Sequence, residues 1–119
     1  MPLIDGRLAD AGEIIWLDFG PPVGHEQAGR RPGLVISGAG YNRISSLILA
    51  CPITRNDRPW PFKVALPATG RMKGYILADQ VRSIDPGIRV VRRSGYSVPQ
   101  ETLAAVKGVI AAVIGVEIR

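Results

Sequence analysis
A small antiparallel β-barrel or sandwich carrying one C-terminal helix is the fold class this sequence predicts, and three observations lead to it. Short apolar runs rich in β-branched residues recur between turn signals. Gly and Pro number 14 and 10 among 119 residues, which is turn-rich yet below the share typical of low-complexity disorder. Near the end of the chain the hydrophobic period changes once, from strand-like to helical. With 46% hydrophobic residues, residues 1–119 suffice for one domain whose core needs no metal or disulfide staple.

The strand candidates are residues 13–19 (EIIWLDF), 33–37 (GLVIS), 46–53 (SLILACPI), 62–66 (FKVAL) and 75–84 (YILADQVRSI). Pro21 with Pro22, residues 38–40, residues 59–61, Gly70, and Pro86 with Gly87 separate them as turns and loops. No helix intervenes, so the strands are expected to pair antiparallel. Ser97, three residues ahead of Gln100, makes a capping-box pattern, and Pro99 suits a first helical turn. Leu103, Val106, Ile110 and Val113 then recur at helical spacing, a stripe expected to pack on the barrel.

Composition excludes several chemistries. One cysteine, Cys51, cannot form an intrachain disulfide or a Cys-rich zinc site, and one histidine, His25, makes a protein-built transition-metal site improbable. Neither a metal nor a cofactor is expected, so catalysis has to run on side chains. The acidic start of the chain is unlike a signal peptide, and residues 108–116 fall far short of the ~20 apolar residues that span a bilayer. A soluble, cytoplasmic protein without membrane contact is the expectation.

The net charge of +5 becomes informative when divided. Residues 41–94 hold ten basic and three acidic residues, a balance of +7, and the rest of the chain carries −2. Twelve of the fifteen cations are Arg, whose planar fork grips phosphate with two parallel hydrogen bonds, although an Arg-rich codon usage explains the bias as well. Residues 20–32 form a polar loop longer than a hairpin needs, concentrating His25, Glu26, Gln27, Arg30 and Arg31. RNA cleavage without metal requires a base for the 2′-hydroxyl, an acid for the 5′-oxygen and donors for the charged phosphorus. His25 or Glu26 could be the base, and Arg30 or Arg31 could hold phosphate. From composition alone, a merely solvated loop is the stronger competing reading.

The order of residues shifts that balance. GEIIWLDFGPPVGHEQAGRRPGLVIS at residues 12–37 resembles the opening signature of the MazF/PemK toxins. Tyr41-Asn42, Cys51-Pro52-Ile53-Thr54, Pro61-Phe62, the segment LADQVRSI at residues 77–84 and Pro99 follow in the family's order, so the resemblance covers about nine tenths of the chain. It implies an SH3-like barrel of about five to seven strands, a homodimer, and the toxin of a toxin–antitoxin pair. Such toxins are sequence-specific, metal-independent endoribonucleases that cut single-stranded mRNA to 2′,3′-cyclic phosphate and 5′-hydroxyl ends. Glu26, Arg31 and Thr54 match catalytic or phosphate-contacting positions, with Arg31 stabilising the phosphorane and Thr54 donating to a phosphate oxygen. A guanidinium gives up its proton reluctantly, so the contribution of Arg31 is expected to be electrostatic. His25 is the base, its orienter, or a loop residue contacting RNA. Gln27, Arg30, Arg55, Lys73, Asp79 and Gln80 complete the expected substrate-binding set.

One departure bears on Asp79. The PemK branch is understood to pair a His with an Arg-x-Asp on the fifth strand, and Leu77 stands at that Arg position. Strand alternation would put Asp79 on one face with Leu77 and Val81, opposite Gln80 and Arg82, which favours a satisfied structural carboxylate. Trp16 is expected in the core, Cys51 as a small buried hydrophobe, and Arg92 with Arg93 as a solvated pair. Trp60, on the basic loop, suits base stacking, a hydrophobic lid or a dimer contact. The +7 segment could also receive an acidic, disordered antitoxin tail. Two competing functions remain: a non-nuclease toxin of this fold class acting on a protein target such as gyrase, and an inactive RNA-binding barrel.

Overall fold
Apolar side chains at successive positions of a strand face both sides of a sheet, and this decides the architecture. The computed structural model describes residues 3–4, 7–68 and 70–116. Leu3–Ile4 (β1) and Arg7–Leu8 (β2) form a separate hairpin. Then come Glu13–Asp18 (β3), Arg30–Val35 (β4), Ala39–Ser45 (α1), Ile48–Thr54 (β5), Lys63–Ala65 (β6), Tyr75–Leu77 (β7) and a 3-10 turn at Ala78–Gln80. Arg82–Ile84 (β8), Pro86–Arg89 (α2), Val90–Ser97 (β9) and Gln100–Val113 (α3) complete the chain.

The main sheet runs β6-β7-β5-β4-β3-β9, with β8 also paired to β5, and every pair is antiparallel. The expected mainly antiparallel β fold with a C-terminal helix is present, and among the described residues no ladder joins β6 to β9 to close the barrel. Ile15, Leu17, Phe19, Val35, Ile48, Ala50 and Ile84 build one apolar cluster, joined by Ile4 and Ala9 near the hairpin. Ile14, Leu34, Cys51, Ile53 and Ile76 build the other, joined by Val106 of α3. Two covered faces are why these strands read as continuous apolar runs. Gly33 is needed where the strands approach, because a Cβ there would lie 2.6 Å from a methyl of Leu17.

Four local expectations are corrected. The single strand at residues 75–84 is two strands: Ile53 faces Ile76 whereas Ala50 faces Arg82, so three residues leave the ladder between them as the 3-10 turn. A long strand, β9, occupies residues where Arg92, Arg93 and Gly95 obscure the apolar pattern. Of the pair expected to be solvated, Arg92 is exposed and Arg93 is half-buried. Arg93 makes an ion pair with Glu13 and donates to the carbonyl of Ile4 at 2.7 Å, while the Arg92 guanidinium lies 5.4 Å from the Trp16 ring centroid.

Residues 38–40 do not simply turn, since Gly38 is the N-cap of α1. The helix exists to deliver Asn42, fully buried, whose amide donates to the carbonyls of Ala9 (2.8 Å) and Ser37 (3.1 Å) and accepts from the Ser37 hydroxyl. Lastly, α3 starts after Pro99 with no side-chain cap, so the Ser97–Gln100 box does not form. Leu103, Val106 and Ile110 pack on the second cluster, but Val113 is 46% exposed. No helix among the described residues is long and apolar enough to cross a membrane.

Candidate active site
A groove of about 1240 Å³ opens along the ends of β4, β5 and β7. Five cations line it, Arg30, Arg31, Arg55, Arg71 and Lys73, against the single acid Asp57. Trp16, Met72 and Tyr75 supply apolar wall. Such a surface concentrates positive potential over a concave, partly apolar floor, which suits a polyanion with flat bases.

The local geometry gives two of these side chains defined roles. Arg31 sits on β4 opposite Leu17, and its Nε donates to the carbonyl of Ala28 at 2.9 Å. That bond orients the guanidinium, and among the described residues its terminal amines have no protein acceptor. Thr54 ends β5 opposite Tyr75, buried to 8% exposure. Its Oγ1 accepts from the backbone N–H of Asn56 at 3.1 Å, which leaves the hydroxyl proton to be donated. Gly74 lies against it at φ +146, where an added Cβ would be 2.8 Å from the Thr54 carbonyl oxygen.

A smaller cleft of about 340 Å³ is lined by Glu26, Gln27, Asp79, Gln80 and Arg82 with Phe19, Pro52 and Val81. The loop at residues 20–29 gives Glu26 and Gln27 to this cleft and leads directly into Arg30 and Arg31 of the groove. Its neck is closed by Phe19 N–H on the Gly29 carbonyl (3.0 Å) and Gly29 N–H on the Gly20 carbonyl (2.8 Å). Its far side is tied to the 3-10 turn, where the Gln80 side-chain oxygen accepts from the Gln27 N–H at 2.9 Å. Arg82 braces the base of the loop, donating to the Phe19 carbonyl at 3.3 Å.

The 3-10 turn changes the geometry expected for Asp79 and Gln80. A strand would send neighbours to opposite faces, but residues in a 3-10 turn advance by about 120° each, and both side chains line the cleft. Asp79 accepts from the Trp60 indole N–H at 3.2 and 3.3 Å, so its carboxylate is partnered, as a structural role would require. Trp60 stands 48% exposed, edge-on to Phe62 with centroids 5.3 Å apart. Burial, and then the Asp79 carboxylate, push the Cys51 thiol up to about 12, which agrees with an inert buried side chain.

The candidate residues thus divide between two cavities. Arg30, Arg31, Thr54, Arg55 and Lys73 share the groove, while Glu26, Gln27, Asp79 and Gln80 share the cleft. His25 is exposed on the loop, outside the described lining of either. Trp16 is half-buried in the groove wall rather than in the core, because the strand's other side chains, Ile15 and Leu17, fill the adjacent cluster. Arg71 lines the groove and Arg82 the cleft, although sequence reasoning counted Arg71 only as charge and placed Arg82 on a strand face without a role. No three His, Cys, Asp or Glu side chains among the described residues cluster as metal ligands.

A small antiparallel β domain with a cation-lined groove and a cleft that gathers carboxylates and amides is the class that the fold and the candidate site define. The comparisons narrow this class. Residues 10–114 match the family model described as the PemK-like, MazF-like toxin of type II toxin-antitoxin systems, and the chain belongs to that family. It is similar to the endoribonuclease toxin MazF of Escherichia coli K12, at 38% identity over 113 residues that cover 95% of this chain and 100% of the relative. The crystal structure of MazF from Deinococcus radiodurans superposes with a TM-score of 0.80 at 40% identity, covering 92% of this chain and 98% of that one. A MazE–MazF crystal structure from the same organism also gives 0.80, at 38% identity, covering 93% and 100%.

Proposed function
We propose that this protein is the endoribonuclease toxin of a type II toxin–antitoxin pair. The observation that carries the reading is the pairing of Arg31 and Thr54 in one cation-lined groove, each with donors free to meet a phosphate. Family membership and the endoribonuclease names of its relatives support it. The substrate is single-stranded mRNA, laid with its phosphates along Arg30, Arg31, Arg55 and Lys73 and its bases against the apolar wall. The cut is metal-independent.

In the reaction, Glu26 removes the proton of the 2′-hydroxyl, and the resulting oxygen attacks the adjacent phosphorus. Arg31 and Thr54 donate to the non-bridging oxygens as charge builds on the phosphorane. The P–O5′ bond breaks and the 5′-oxygen takes a proton from water to leave as a hydroxyl, the other fragment keeps a 2′,3′-cyclic phosphate, and Glu26 returns its proton to solvent. His25, next to Glu26, is the loop's second proton-transfer group and contacts the RNA. Gln27, Asp79 and Gln80 bound the small cleft and hold the nucleotide there.

The toxin works in the cytoplasm as a homodimer, and its cognate antitoxin covers the groove with an acidic segment that folds on binding. The relative crystallised as MazE–MazF supports such a pairing. Purified protein incubated with a long single-stranded RNA in EDTA should yield discrete fragments with cyclic-phosphate ends. Intact RNA across varied sequences would sink the nuclease reading. Affinity should fall steeply with salt, as phosphate binding releases counterions, and saturating antitoxin should abolish RNA binding.

A further inference from the structure
Lys63 organises the far wall of the groove without belonging to its described lining. It starts β6 opposite Leu77, and its ammonium turns back beneath the loop at residues 55–62. There Nζ donates to the carbonyls of both Asn56 and Arg58 and lies 4.8 Å from the Tyr75 ring centroid. Two of its three donors are therefore held by one loop, and its charge rests on an aromatic face.

The rest of that loop is a chain of local bonds. Asn56 N–H donates to the Thr54 hydroxyl oxygen at 3.1 Å, Arg58 N–H to the Asn56 side-chain oxygen at 2.9 Å, and Lys63 N–H to the Trp60 carbonyl at 3.2 Å. Asn56 stands at the centre, because its carbonyl meets Lys63, its N–H meets Thr54 and its side chain meets Arg58. Its neighbours Arg55 and Asp57 line the groove. Releasing the Asn56 carbonyl would loosen both of them and the bond that directs the Thr54 hydroxyl proton.

We infer that Lys63 is a positioning residue that holds the groove wall at residues 54–58 in one form, and thereby sets the turnover and the base-sequence selectivity of RNA cleavage. This rests on the nuclease reading above. The competing role, a direct phosphate contact, has a different signature: affinity would fall alike for every RNA, and the salt slope would drop by about one.

Lys63→Met keeps the aliphatic stem over Tyr75 and removes the donors, whereas Lys63→Arg restores charge and donors. On a preferred RNA and its single-base variants, Lys63→Met should lower kcat about tenfold with little change in KM, and should shrink the ratio of kcat/KM between them by a similar factor. The salt slope should stay unchanged, and Lys63→Arg should recover most of the loss. Amide exchange at residues 56–60 should accelerate in Lys63→Met while the sheet remains protected. If the methionine variant does not fold, the same ratios are read on Lys63→Gln against Lys63→Arg. Retained selectivity with unchanged exchange, or a uniform affinity loss with a reduced salt slope, would overturn the assignment. Should the wild type cut no RNA, the nuclease reading falls with its selectivity claim, and the exchange data alone then decide whether the clamp exists.

Discussion
The groove and the small cleft draw on neighbouring residues of one chain segment, Arg30 and Arg31 for the first and Glu26 and Gln27 for the second, yet they are built from opposite chemistry. In the groove, cations outnumber acids by five to one over a wide, partly apolar floor. The cleft has about a quarter of the volume and brings together two carboxylates, two side-chain amides and one guanidinium. The first arrangement attracts a chain of phosphates from a distance, and the second can exchange protons and hydrogen bonds only with a group already seated. The loop at residues 20–29 joins them, since Arg31 reaches back to the Ala28 carbonyl from the groove side and Gln80 holds the Gln27 N–H from the cleft side. The cation-rich and the carboxylate-bearing walls are thus linked through a few residues of backbone.

The comparison breaks most readily at Arg31. Replacing it with Ala should slow cleavage of single-stranded RNA about 10²- to 10³-fold, the loss expected when one preorganised donor to a charged transition state is removed. Thermal melting should change little, as the side chain is only half-buried and supports a single carbonyl. Wild-type rates in Arg31→Ala would move the reaction out of the groove.

Glu26→Gln tests the cleft in the same terms. A lost general base costs about 10²-fold in kcat, while RNA affinity, measured by filter binding, should hold or rise because a negative charge is gone. Equal rates for the two proteins would leave the cleft a binding element only.

Gly74→Ala sharpens the comparison through backbone alone. The added methyl meets the Thr54 carbonyl at φ +146, so a loss of about 1–3 kcal/mol in stability is expected, read as a lower melting temperature. Cleavage should fall in parallel as Thr54 shifts, whereas Gly108→Ala, with open space around it, should be neutral or mildly stabilising.

The smallest effect concerns Cys51, behind the cleft. With its thiol raised from 9.0 to about 12, it stays protonated at pH 8 and should react with iodoacetamide only after unfolding. The sign for stability follows from the same shift. An unfolded chain releases this proton near pH 9 and the folded one near 12, so the stabilising contribution is intact below pH 9 and is lost as pH rises towards 12. Labelling of the native protein at a free-thiol rate would contradict the burial.

Much of the lining of the two candidate cavities could be read along the chain because its residues lie in short, ordered motifs: the GHEQAGRRP loop, Thr54 after an apolar run, and Asp79-Gln80 within LADQV. What could not be read was how these motifs divide. Period-two reasoning put Asp79 and Gln80 on opposite faces, and one 3-10 turn puts both in the cleft. Trp16 looked like core by composition, but its strand neighbours take the core positions and leave it to the groove wall. Strand β9 went unseen because its Arg residues are matched by Glu13 and by carbonyls far away in sequence.

By itself, the sequence determined the class of architecture, the supply of positive charge, the lack of a cysteine–histidine ligand set and the family. Hydrophobic periodicity, residue counts and motif order are local properties, so they survive without a fold. Only the tertiary structure decided that the site has two walls, that Asp79 is partnered by Trp60, and that a lysine outside the groove holds its edge. Those facts depend on hydrogen bonds and packing between segments brought together by the sheet, whose geometry no local pattern encodes.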